Sequence, residues 1–294
     1  MINPFIIYWD INPLTCDDEI VTRICDELID AKIFVLNVRD VSSPLSINTV
    51  RILKRLYGKP IKINLTVSNS LFGQSDVNVL QNLHPSQWYI EFRDIKDMRS
   101  SLPKITDSLR LGHSAGVSFY LTDNNFRELP AVISLCVDNN IRELNLPIQR
   151  ADEGRIFFPG PEAASLLGEE IRRIPLADLK LTIHDPFMWK LIFSKDNPNE
   201  EGCNGAKTMM FIAGNYDVTP CPILSFSMGS LRSLSLKDIF SSETRLKIRE
   251  ELTSSPKDCE SCPAVGKCVG GCRGRTYALF EGFNKKDPAC HINI

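Results

Sequence analysis

Five cysteines near the end of the chain, Cys259, Cys262, Cys268, Cys272 and Cys290, follow a C-x2-C-x5-C-x3-C-x17-C spacing, and Cys203 and Cys221 stand upstream of them. Thiolates are soft ligands that select zinc or iron-sulfur clusters, and a close C-x2-C pair lets one turn present two sulfurs to one centre. Zinc takes four ligands and a [4Fe-4S] cluster about four, so seven thiolates suit two clusters with one coordination position left over. A structural zinc held by the closest four is the competing reading. Gly266, Gly270 and Gly271 lie among the ligands, where the backbone must wrap a bulky inorganic core. Of the other cysteines, Cys25 falls beside Val21 and Leu28, and Cys136 between Ile133 and Val137, so both read as core residues. Cys16 stands apart from them, in the connection after the first strand pattern.

The elements that must position these thiols can be read from periodicity. Up to about residue 183, short apolar or β-branched runs alternate with longer amphipathic stretches, the pattern of successive βα units on a parallel sheet. Six strands are expected: Phe5 to Trp9, Ile33 to Val38, Ile61 to Val67, Trp88 to Phe92, Val117 to Leu121 and Glu143 to Leu146. Helices are expected near Asp17 to Ala31, Ser46 to Leu56, Asp76 to Leu83, Lys104 to Gly112, Phe126 to Asn139 and Glu162 to Ile174, with a last strand or connector at Leu179 to Ile183. In the first helix, Ile20, Ile24 and Leu28 recur every four residues beside Val21 and Ile29. The polar, turn-forming stretch 194–202 suits a linker, giving domains at 1–193 and 203–294. Beyond it, Thr208 to Ile212 and Asp217 to Thr219 suggest a hairpin turning at Gly214-Asn215, and Ser235 with Asp238 marks a helix start.

The composition, 43% hydrophobic and 24% charged over 294 residues, is that of an ordinary globular protein. Lys plus Arg (34) nearly balance Asp plus Glu (36), so nothing attracts nucleic acid or an anionic membrane. The first residues show no basic segment and no long apolar run, so a cytoplasmic location is expected, where clustered thiols hold metals rather than form disulfides. No nucleophile elbow, P-loop or dinucleotide fingerprint is present.

The segment Cys259 to Cys290, with its Cys268-Val-Gly-Gly-Cys272-Arg core and its Asp287-Pro288-Ala289-Cys290 end, resembles the SPASM domain of radical S-adenosylmethionine (SAM) enzymes. The stretches Asp217 to Pro222, Gly229 to Leu231 and Ser235 to Phe240 resemble the domain's first half, except that Tyr216 stands where the family usually has glycine. The resemblance implies a partial (β/α)6 parallel barrel followed by a cysteine-rich SPASM domain built from a β-hairpin and helices. It assigns Cys259, Cys262, Cys268 and Cys290 to the auxiliary [4Fe-4S] cluster farther from the barrel, and Cys203, Cys221 and Cys272 to the nearer one. The nearer cluster is then one ligand short, with His184, His291 and Cys16 as candidates. Weaker likenesses lie at Tyr8 to Ile11, Leu65 to Asn69 and Val117 to Asn125.

That family carries a further cluster on C-x3-C-x2-C after the first strand, which binds and reduces SAM. Here the connection reads Asp10-Ile-Asn-Pro-Leu-Thr-Cys16, one thiol where three are needed. The family's glycine-rich SAM-binding turn after the second strand is replaced by Asn37-Val38-Arg39-Asp40. The expectation is therefore a pseudo-radical-SAM protein that does not use SAM, an accessory partner of a catalytic radical SAM protein and a precursor peptide. An active enzyme with an unconventional site at Cys16, and a zinc-stabilised interaction module, are the alternatives. The loop Gln149 to Gly154 reads as solvated or as a carboxylate clamp by Arg150, and His184 to Phe187 as a self-satisfied turn or a pocket wall. Arg273 and Arg275 either offset cluster charge or face solvent.

Overall fold

The computed structural model describes residues 6–15, 17–71, 82–110, 115–176, 178–194 and 202–290. Its strands are β1 Ile6–Asp10, β2 Val35–Asp40, β3 Lys62–Ser68, β4 Gln87–Phe92, β5 Ala115–Phe119, β6 Glu143–Leu146, β7 Lys180–Ile183, β8 Met209–Ile212, β9 Asp217–Thr219 and β10 Gly229–Ser230. They form a single sheet in the order β10-β9-β8-β1-β2-β3-β4-β5-β6-β7. Pairing from β1 through β7 is parallel throughout. The helices are α1 Asp18–Asp30, α2 Ile47–Leu56, α3 Ile95–Arg110, α4 Leu129–Asp138, α5 Pro161–Arg172, α6 Pro186–Phe193, α7 Leu236–Ser241, α8 Glu243–Thr253, α9 Val265–Cys268 and α10 Arg273–Phe280.

The central strands β4 and β5 are buried along their full length, as befits parallel strands covered on both faces. In α1 the side facing the sheet is Val21, Ile24, Cys25 and Leu28, and Asp17 caps its start by accepting the Ile20 N–H at 3.2 Å. Cys25 and Cys136 are fully buried in the core. Two features depart from the pattern read along the chain. Strands β2 and β5 are each displaced by two residues from the expected runs. The third helix begins at Ile95, well before Lys104, and carries Pro103 inside it. Asp94 starts it by accepting the Lys96 N–H at 2.6 Å, and Met98 and Ile105, two turns apart, anchor it in the core. The expected helix at Asp76 to Leu83 lies almost wholly outside the described residues, as does most of the linker.

The C-terminal hairpin does not form a sheet of its own. Strand β8 pairs in parallel with β1, from Ile6 opposite Met209 to Trp9 opposite Ile212, so the cysteine-bearing segment is fixed to the first strand by a backbone ladder. The hairpin tip is tight: Tyr216 takes the left-handed conformation, φ 72°, at the position where glycine was expected. It holds that conformation with its ring buried under the Arg232 guanidinium, 4.9 Å from the ring centre. Ser235 and Asp238 form a reciprocal capping box at the start of α7.

Candidate metal centre

A cavity of about 580 Å³ opens between the loops that follow β5, β6 and β7 and the cysteine-rich segment. Cys203, Cys221 and Cys272 all line it, as does Cys268. Cys203 precedes β8, Cys221 follows β9, and Cys272 stands at the start of α10, so three separate elements deliver these thiols to one space. The second group gathers in the last turns. Burial raises the Cys259 pKa, and the neighbouring charges of Cys290, Cys262 and Cys268 raise it further, so these four stand within electrostatic range of one another. Among the described residues no three His, Cys, Asp or Glu side chains converge tightly enough for a single metal ion. Cys16 and His291 lie outside the described residues.

The backbone around the thiols is arranged for negative sulfur. Cys272 caps α10 and its Sγ accepts the Arg275 N–H at 3.4 Å, at the positive end of the helix. Burial pushes Cys221 up to about 12, against backbone N–H bonds from Leu224 and Ile223 that favour the thiolate. Cys203 receives the Gly205 N–H, and Cys268 those of Gly271 and Gly270. Thiols surrounded by aimed N–H donors are well suited to a metal that keeps them deprotonated.

Arginine and aspartate lock this frame. The carboxylate of Asp287, fully buried, accepts Arg275 Nε and Nη2 at 2.8 Å each, the Cys272 N–H at 2.7 Å and the Ala289 N–H at 2.9 Å. One side chain thereby ties the Cys272 turn to the Cys290 tail. Arg275 reaches across to Asp185, which caps α6 by accepting the Phe187 and Met188 N–H groups at 2.9 and 3.0 Å. Burial opposes the Arg275 charge, yet Asp185 and Asp287 hold its pKa well above the ordinary value. Arg273 is also buried, and its Nε and Nη1 have no hydrogen-bond partner among the described residues. Burial lowers it while the charges of Cys203 and Cys259, one from each thiol group, oppose that effect. The alternative of solvent-facing arginines is thereby overturned. Unspent donors beside two sets of thiols fit a bound anionic cluster. Gly274 adds a close approach, because a Cβ there would stand 2.9 Å from Ile223 Cβ and 3.5 Å from Cys221 Sγ. Two arginines escaped the sequence reading: Arg245 and Arg249, one turn apart on α8, donate to the Ala206 and Cys203 carbonyls. Their four-residue spacing ahead of the array was the available signal.

A second polar cluster lies at the C-terminal ends of the parallel strands. Arg39 forms a bidentate pair with Glu91, 2.7 Å at both contacts, and reaches Glu153 at 2.6 Å and Asp10 at 3.5 Å. Arg150 grips Asp10 in turn, with Nε and Nη2 each at 2.9 Å. Tyr120 accepts the Arg150 N–H at 2.8 Å and lies 4.1 Å below the Arg93 guanidinium, itself paired to Glu153. Three carboxylates and three guanidinium groups thus neutralise one another in a largely buried lattice. The Arg150 loop, read slightly in favour of solvent exposure, is instead a clamp on the protein's own Asp10. Burial lowers the His184 pKa, against the charge of Asp185; His184 to Phe187 is at once the turn that satisfies its own polar groups, through Asp185, and a wall of the cavity.

Residues 203–263 match the SPASM family, an iron-sulfur cluster-binding domain. No curated protein matches the sequence. Among solved structures, Streptococcus suis SuiB superposes with a TM-score of 0.73 at 14% identity, covering 98% of this chain and 77% of SuiB. SuiB bound to the precursor peptide SuiA gives 0.75 at 13% identity, over 98% and 76%. The anSMEcpe protein with bound AdoMet gives 0.66 at 10% identity, over 97% and 94%. At these identities the likeness establishes the fold, a mostly parallel, radical-SAM-like α/β sheet with a C-terminal SPASM domain.

Proposed function

We propose that this chain is an iron-sulfur protein with two auxiliary [4Fe-4S] clusters, serving as the accessory, non-SAM-cleaving component of a radical-SAM-dependent peptide modification. Cys259, Cys262, Cys268 and Cys290 hold one cluster, and Cys203, Cys221 and Cys272 the other. When bound, such clusters supply one-electron transfer. The chain's own part is to set a cavity beside the nearer cluster and to aim N–H donors at the cysteine sulfurs, a setting for a substrate peptide or for electron relay. The observation that carries the reading is the lattice of Asp10, Arg39, Glu91, Arg150 and Glu153. It occupies the strand ends where the resemblance puts the SAM cluster and the SAM-binding turn, and each charge there is already answered by another. The complex of SuiB with SuiA supports a peptide partner.

The test is anaerobic purification followed by iron and zinc analysis and incubation with SAM and a reductant. About eight irons per chain and intact SAM are expected. Reductive SAM cleavage by the purified chain would remove the accessory role. Colourless protein with stoichiometric zinc would favour the zinc module. The active-enzyme reading draws on the AdoMet held by anSMEcpe, and it requires Cys16→Ala to lose iron.

A further inference from the structure

We propose that His184 supplies the fourth protein ligand of the nearer cluster, completing a three-cysteine, one-histidine set with Cys203, Cys221 and Cys272. This rests on the two-cluster reading above and goes beyond it by naming the ligand and, through it, the cluster's role.

His184 belongs to the other half of the molecule, directly after β7, yet it lines the same cavity as Cys203, Cys221 and Cys272. Its neighbour in the chain is linked to Cys272 through Arg275. Asp185, the next residue, caps α6 and pairs with Arg275, whose own N–H donates to Cys272 Sγ. Apart from Cys268, which the two-cluster reading gives to the farther cluster, the other polar side chains on the cavity wall are poor competitors. Gln149 spends both ends of its amide on Phe157, donating at 2.7 Å and accepting at 2.6 Å. Asp185 is committed to Arg275 and to the helix cap. Lys190, Lys267, Arg273 and Arg275 are cations with no lone pair to offer. The Asn204 amide is a weak ligand for iron beside an imidazole. Among the described residues no hydrogen bond occupies the His184 ring. An imidazole at the cavity wall offers iron a nitrogen lone pair, which none of those side chains matches.

The consequence concerns function. A nearer cluster closed by four protein ligands has no open iron for a substrate to bind, which selects electron relay over substrate ligation. Replacing one thiolate with a neutral imidazole also raises the reduction potential, as histidine ligation does in other iron-sulfur centres. The barrel and the SPASM domain then share the cluster.

The experiment is pulsed EPR on anaerobically purified, dithionite-reduced protein grown with and without 15N-histidine, alongside iron counting. Wild type should show a nitrogen coupling that changes with the label. His184→Ala should lose it. His184→Cys should keep about eight irons, lack the coupling and titrate at a lower potential than wild type. Wild type with about eight irons and no histidine coupling, or a coupling that survives in His184→Ala, overturns the assignment and leaves the two-cluster reading intact. Wild type with about four irons or none overturns both.

Discussion

Replacing Arg39 with leucine tests whether the charged lattice holds the strand ends together. Three carboxylates face Arg39, but they lose unequally. Asp10 keeps its two bonds to Arg150 and Glu153 keeps Arg93. Glu91, with a side chain only 5% exposed, is left with Arg93 at 3.5 Å in place of two bonds of 2.7 Å. A buried charge stripped of its partner costs about 3–5 kcal/mol, a large share of the roughly 5–15 kcal/mol that holds a domain folded. The double variant Arg39→Leu/Glu91→Leu removes the orphan as well and should recover about 2 kcal/mol or more of that loss. Urea unfolding followed by tryptophan fluorescence, under anaerobic conditions, measures both, and iron content should stay at the wild-type level. The pH dependence adds a second reading. Burial raises Glu153, but Arg39 and then Arg93 outweigh it and hold its pKa below the ordinary carboxylate value. Its contribution is therefore complete above the unfolded pKa of about 4.3 and is lost as acid carries the pH down through the lower folded value. Arg39→Leu should flatten that acid limb. A single variant within about 0.5 kcal/mol of wild type, or a double variant no more stable than the single, would refute the reasoning.

Gly271 has φ 76°, and a Cβ there would stand 2.6 Å from Phe187 Cε2 and 2.8 Å from Asp287 Cβ, so Gly271→Ala must displace the Cys272 turn. Iron should fall to about half the wild-type content, and an unchanged count would contradict the proposed role of that turn. Burial pushes the Cys25 and Cys136 thiols up to about 12, so neither should alkylate in native protein at mildly alkaline pH, as mass spectrometry would report. Unfolded thiols ionise near about 8.5, so these two should withdraw stability as pH climbs from there towards 12. Cys25→Ser should cost about 1–3 kcal/mol through its buried hydroxyl and leave iron untouched.

Most of the parallel sheet was legible because each strand announced itself through local pattern, as in β3, where Ile63, Leu65 and Val67 face inward in alternation. The third helix was expected only from Lys104, nine residues after its actual first residue, Ile95. Its true origin, Asp94, is a cap whose value depends on where the chain enters the helix. Arg150, Arg273 and Arg275 were read ambiguously for a related reason. An arginine is solvated or buried according to whether a carboxylate waits for it, and Asp10 lies 140 positions from Arg150 while Asp185 lies 90 from Arg275.

Ligand type and spacing are covalent facts of the chain, so the soft-metal chemistry of the tail and the single thiol after the first strand were fixed before folding. Folding alone decided that β8 docks on β1, that Arg39 and Arg150 answer carboxylates at the strand ends, and that His184 shares a cavity with Cys203, Cys221 and Cys272. Those juxtapositions join distant segments through burial and ion pairing, which depend on three-dimensional packing and leave no periodic trace in the order of residues.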